Sequence, residues 1–237
     1  MHDWRTVRRL FSGACLIAGP ALFFVGILIR PTGSDDTGDE LLAYVRGNGA
    51  AVQVSDLMFI AAVLLLVPAF IGAIHVLRSH EHLLGYLGGG LAVVGFVCLF
   101  GMITVDGVAL EMAGRGAAAA GMGAVLGQAP NHDLLLWILT IVFVAGHIVG
   151  TTLLGIGLFR ARSIPVGAAV AVAVSQPLHF VAHAIESKPL DVIAFALFAA
   201  GLATLGVRVL RMHDAEWEAS IADVTADRAG RLVGLEA

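Results

Sequence analysis

Residues Leu134–Phe159 read LLLWILTIVFVAGHIVGTTLLGIGLF, 26 consecutive positions without one Asp, Glu, Lys or Arg. As a helix the run is about 39 Å long at ~1.5 Å per residue, more than the roughly 30 Å of hydrocarbon in a bilayer. It reads as a membrane span with one ionisable residue, His147, near its middle. The same test applied outward finds five more spans: Leu10–Ile29, Leu57–Leu77, Leu83–Val105, Ile164–Ile185 and Val192–Val207, the last extended to about residue 190 by Pro189 and Leu190. The expectation is an all-α polytopic membrane protein. Six transmembrane helices form a compact bundle over residues 1–211, and a tail follows over 212–237.

Composition agrees. Of 237 residues, 58% are hydrophobic and 14% charged, against about 25% charged in a soluble domain. The net charge of −4 excludes a polybasic nucleic-acid binder and leaves membrane lipid as the expected surrounding partner. Arg5, Arg8 and Arg9 precede the first span like the basic region of a signal peptide. Its apolar run is too long for that, and it ends in Ile29-Arg30-Pro31 rather than a small-residue cleavage site. It reads as a retained span.

Orientation follows the basic bias of short loops. With the N-terminus inside, eight basic residues fall on the inner side (Arg5, Arg8, Arg9, Arg78, Arg160, Arg162, Arg208, Arg211) and four on the outer (Arg30, Arg46, Arg115, Lys188). Both termini are expected in the cytoplasm of a multi-pass protein of the inner or plasma membrane. Cys15 and Cys98 fall within spans and imply neither disulfide nor zinc framework.

Short connections at 79–82, 160–163 and 186–190 force antiparallel neighbours. Two outer segments are longer. In the first, Asp39-Glu40-Leu41-Leu42-Ala43-Tyr44-Val45-Arg46 predicts a short interfacial helix. The second, Asp106–Asp133, is apolar and glycine-broken, and reads as a lid over the outer face or as a plain Gly/Ala loop. In the tail, Trp217, Ile221 and Val224 share one helical stripe. Gly146 and Gly150 form a GxxxG notch suited to close packing between helices, and Pro68 and Pro177 are candidate kinks.

Ionisable groups at membrane depth are costly and by default mark function. The fifth span carries Ser175, Gln176, His179 and His183, with Glu186 one turn later. His179-x3-His183 is the spacing at which two imidazoles on one helix face can hold one metal ion. His147 of the fourth span can approach the pair by tilt. Asp56, Asp106, His132 and Asp133 sit at span ends on the same outer side; interfacial carboxylates and helix caps are the plain alternative for the Asp residues. His75, His80, His82 and Glu81 read as a solvated turn.

The leading expectation is a metal-dependent hydrolase-like enzyme acting on a lipid or other amphipathic substrate. His147, His179 and His183 would hold a divalent metal, zinc, and Asp106 or Glu186 would serve as catalytic base. A second reading is a b-type haem protein with His147 and His179 or His183 as axial ligands. A third is a non-enzymatic transport, regulatory or structural protein.

In its site chemistry the pattern is similar in outline to the alkaline ceramidase and adiponectin-receptor superfamily, whose seven-helix members combine a lone His, a late HxxxH pair and an Asp. The resemblance covers His147, His179, His183 and Asp106. It departs in helix count and in the lone His lying immediately before the HxxxH helix, so it implies site chemistry and not family membership. The layout of basic N-terminus, first span and acidic outer loop, with 13 Arg against one Lys, resembles multi-pass integral membrane proteins of bacteria and implies no activity. No phosphate loop, GxSxG elbow or CxxCH haem attachment is present.

Overall fold

The computed structural model describes residues 4–30, 39–114 and 134–218, and within them the chain is all-α. In chain order the helices are α1 (Trp4–Ile29), α2 (Asp39–Leu77), α3 (His82–Gly114), α4 (Leu134–Arg160), α5 (Val166–Ala184), α6 (Lys188–Arg211) and the short α7 (Asp214–Glu218). The first six are long and apolar enough to cross a membrane. Each packs on its chain neighbours, and α1 packs on α6, so the contacts close a ring in chain order. With six crossings, Trp4 and Arg211 lie at the same end, called here the terminal end.

The outside of the ring is apolar. Leu57, Leu64 and Ile71 repeat every seven residues along α2 and are 61%, 61% and 56% exposed, and similar residues follow on the other helices. Water would penalise so continuous an apolar face, whereas lipid tails match it. The inside mixes aromatic and polar groups. Phe23, Phe59, Phe70, Phe96, Phe195 and Phe198 form its core. Phe23 stacks on Phe195 at 4.8 Å and meets Phe96 edge-on at 5.7 Å, arrangements that suit the ring quadrupoles.

Small residues set the helix spacing. The predicted GxxxG notch is used within the chain: a Cβ at Gly146 would lie 2.7 Å from the Gly95 Cα, and one at Gly150 2.8 Å from the Gly88 carbonyl oxygen. The backbones of α3 and α4 therefore touch, which is how helices associate where lipid removes the hydrophobic drive between them.

The short helix expected near residues 39–46 exists as the first part of α2, set off by non-helical dihedrals at Asn48. The Asn48 side chain donates to the Tyr44 carbonyl at 3.1 Å, serving an acceptor at the kink. Leu42 and Val45 bury against Ala109, so this segment packs on an extension of α3. Residues 106–114 of the expected lid are the last turns of α3; 115–133 lie outside the described residues, as do Ile221 and Val224 of the tail stripe.

Trp217 is buried and stacks on His75 with ring centroids 4.1 Å apart. Its carbonyl accepts from His75 Nε2 at 2.7 Å and Arg78 Nη2 at 2.9 Å. Thr6 and Arg9 donate to the Asp214 carboxylate at 2.6 and 2.7 Å and hold it below the usual carboxylate range. The start of the tail is thus docked at the terminal end.

Introducing Gly146→Val with Gly150→Val should destabilise the protein by at least about 1–3 kcal/mol through overpacking. Gly90→Ala, where a Cβ meets nothing within 4 Å, should be neutral or mildly stabilising through helix propensity. Thermal unfolding in detergent reads both, and equal melting of the two variants would refute the tight α3–α4 contact.

Candidate functional site

His147 points from the middle of α4 into the ring and is 3% exposed. Its Nδ1 lies 2.5 Å from the Phe143 carbonyl one turn back. A carbonyl only accepts, so Nδ1 carries the proton and Nε2 presents a lone pair. That Nε2 is buried and meets no hydrogen-bonding partner among the described residues.

His179 reaches inward from α5, and its Nδ1 sits 2.6 Å from Asp191 Oδ1 in the first turn of α6. The carboxylate fixes the ring orientation and accepts from Nδ1, so that in the neutral ring Nε2 carries the lone pair. The two imidazole centroids are 5.8 Å apart. Phe143 stacks on His147 at 4.3 Å and Phe195 meets His179 edge-on at 4.8 Å, so aromatic faces hold both rings.

One turn toward the terminal end lie two more polar side chains without hydrogen-bonding partners among the described residues. Gln176 is fully buried, and neither its Oε1 nor its Nε2 is hydrogen-bonded; the buried Thr151 Oγ1 is also unpaired. The α4–α5 register places them together. Thr152 donates to the Ala173 carbonyl at 3.1 Å and His147 faces His179, so antiparallel pairing sets Gln176 level with residues 149–150, within two residues of Thr151. Thr151 is the one threonine among the described residues with a buried, unpaired hydroxyl. Thr104, Thr140 and Thr204 each bond the carbonyl four residues back, the ordinary helical solution, and Thr151 does not.

The remaining predicted site residues lie elsewhere. His183 is exposed, although it follows His179 by four residues. A step of four at 3.6 residues per turn turns a side chain by about 40°, so the stripe that buries Ser175 has rotated outward by His183. Glu186 is exposed in the turn after α5, with φ 52°. The Ser187 amide bonds the Ala182 carbonyl across it, a helix-ending turn that requires the left-handed conformation. His132 and Asp133 fall outside the described residues.

Asp106 and Asp56 converge on Arg30 instead. The guanidinium donates to Asp106 Oδ2 at 2.7 Å and Asp56 Oδ1 at 2.9 Å, with all three side chains largely buried. Burial alone would lower the Arg30 pKa; the two carboxylates outweigh it and hold it above its ordinary value. Lys188 of α6 donates to the Ile27 and Arg30 carbonyls at the end of α1, so α1, α2, α3 and α6 are tied together there. Asp106 stands eleven residues along α3 from Gly95, which abuts His147. That is about 16 Å of helix, too far for Asp106 to serve the histidines.

Sequence reasoning missed the roles of Asp191 and Arg30. The signal for Asp191 was its place just across a short turn from His179. For Arg30 it was a lone cation at one span end facing carboxylates at two others. Among the described residues, no three His, Cys, Asp or Glu gather where one metal ion would reach them all. Glu81 of the turn cluster pairs with Arg160. The chain matches no protein-family model, no curated protein and no solved structure.

Arg30→Met leaves two buried carboxylates without their cation and should cost about 3–5 kcal/mol. Adding Asp56→Asn and Asp106→Asn should recover most of that loss. Denaturant titration in detergent measures it, and a triple variant no more stable than Arg30→Met would show that the cluster is not an ion network.

Proposed function

We propose that this integral membrane protein, its terminal end cytoplasmic, binds a divalent metal ion between His147 and His179. One observation carries the reading: both imidazoles have Nδ1 anchored, one on a carbonyl and one on a carboxylate. Metal-ligating histidines are held this way, because the outer bond fixes the tautomer and raises the basicity of the ligating nitrogen. The spacing suits it. With zinc–nitrogen bonds of about 2.0–2.1 Å, imidazole centroids on one ion lie roughly 5–6 Å apart, and these are 5.8 Å apart.

Enclosure supports an ion over a larger ligand, since His147 Nε2 and both Gln176 polar atoms have almost no accessible surface. The two nitrogens form a partial ligand set. Gln176 Oε1 and Thr151 Oγ1 are unpaired oxygens one turn away among the described residues, and water or substrate would complete the shell. The ion would polarise a carbonyl or acidify a bound water. Hydrolysis of a lipid or other amphipathic molecule is the chemistry that follows, approached from the side of His179, whose side chain keeps 22% exposure.

Elemental analysis of the detergent-purified chain should find about one metal ion per molecule, lost in His147→Ala and in His179→Ala. Absence of metal in the wild type, or its full retention in both variants, would overturn the proposal, and a Soret band would transfer the pair to haem. Asp191→Asn should keep the fold and weaken metal binding by about 10–100-fold; unchanged affinity would remove Asp191 from the site.

A further inference from the structure

At the terminal end, away from the histidine pair, a cleft of about 420 Å³ opens between the α4–α5 turn, the last two turns of α6 and α7. Its lining includes Ser163, Thr204, Val207, Arg208, Arg211 and Glu216. Both arginines lie in the last turn of a membrane-length helix, and the ends of a span long enough to cross the hydrocarbon meet the headgroup region. Arg208 is partly buried and Arg211 exposed, and Val207 and Val166 show apolar side chains at the same level. A basic recess with apolar walls at the end of a span has the chemistry of a lipid headgroup site.

The charges already present leave capacity for an anion. Arg208 donates to the Ser163 carbonyl and lies 3.6 Å from Glu216, a long pair with side chains 40% and 52% exposed. Such a pair contributes little and its geometry is readily exchanged. Arg211 makes no hydrogen bond or ion pair among the described residues. The cleft therefore holds two cations against one carboxylate. A phosphodiester can bridge the guanidinium groups, which suit phosphate oxygens in pairs, while its acyl chains lie along the valines.

We infer that this cleft binds the phosphate of an anionic phospholipid through Arg208 and Arg211. Native mass spectrometry of the full chain in detergent, titrated with phosphatidylglycerol or phosphatidylcholine of equal chain length, tests it. Phosphatidylglycerol should bind more tightly, and the preference should fall about fivefold for each arginine neutralised in Arg208→Gln and Arg211→Gln. Arg160→Gln removes an equal charge at the same end, from the pair with Glu81, and should leave the preference intact. Where Arg208→Gln fails to fold, Arg211→Gln alone decides. No preference for the anionic lipid, or an equal loss in Arg160→Gln, would overturn the site; displacement of bound lipid by excess inorganic phosphate would reassign it to free anions.

Discussion

Hydrocarbon supplies no hydrogen-bonding partner, so every polar atom at membrane depth must find one within the chain. That constraint orders this structure. It makes six backbone-satisfied helices, and it makes the serines and threonines at depth bond back to their own helices, as Ser55, Ser175, Thr104 and Thr140 do. It also turns the strongest charges inward onto one another around Arg30. Helix association then rests on shape, and glycine faces such as Gly88/Gly95 against Gly146/Gly150 let backbones meet.

Against that rule the centre of α4 and α5 stands out. Interhelical glue would have been finished: His147 Nε2 would accept from a neighbour, Gln176 would bridge two helices, and Thr151 would bond back to the His147 carbonyl. Instead, among the described residues, His147 is satisfied only at Nδ1, the atom that orients the ring, and His179 is oriented through the same atom by Asp191. A purely structural polar cluster costs stability when half-satisfied. The pattern of anchored backs and open fronts is that of groups positioned to receive something, and the tightness around them limits what that is.

The fold was largely legible because its signals are local. A run such as Leu134–Phe159 declares a membrane helix from composition alone, and short turns force antiparallel neighbours. His147 and His179 were legible as a pair because an ionisable group in an apolar span is rare enough to be noticed. What was not legible depends on rotation and on long-range pairing. The i,i+4 spacing of His179 and His183 gave no warning that the helix face turns away before it ends. Glu186 looked like a ligand because its sequence position continues the stripe, whereas α5 stops at Ala184 and the residue serves the turn. The partners of Arg30 lie 26 and 76 residues away in sequence, and only the ring closure of α1 with its neighbours brings them together.

The two ends of the molecule solve the boundary problem differently, and the difference bears on where change can occur. At the Arg30 end, buried carboxylates of α2 and α3 and the end of α1 share one guanidinium, while Lys188 ties in α6. Parting those helices there would strand buried charge. At the terminal end Arg9 is buried against Asp214, but the pairs Arg8–Glu218 and Arg208–Glu216 are partly exposed and exchangeable, and exposed pairs hold little energy. Neither α4 nor α5 contributes a charge to the Arg30 cluster. The α4–α5 seam, where His147, Thr151 and Gln176 lie, therefore takes no support from the buried ion network; close packing of Gly155 on Ala173 and the Thr152–Ala173 hydrogen bond hold it instead.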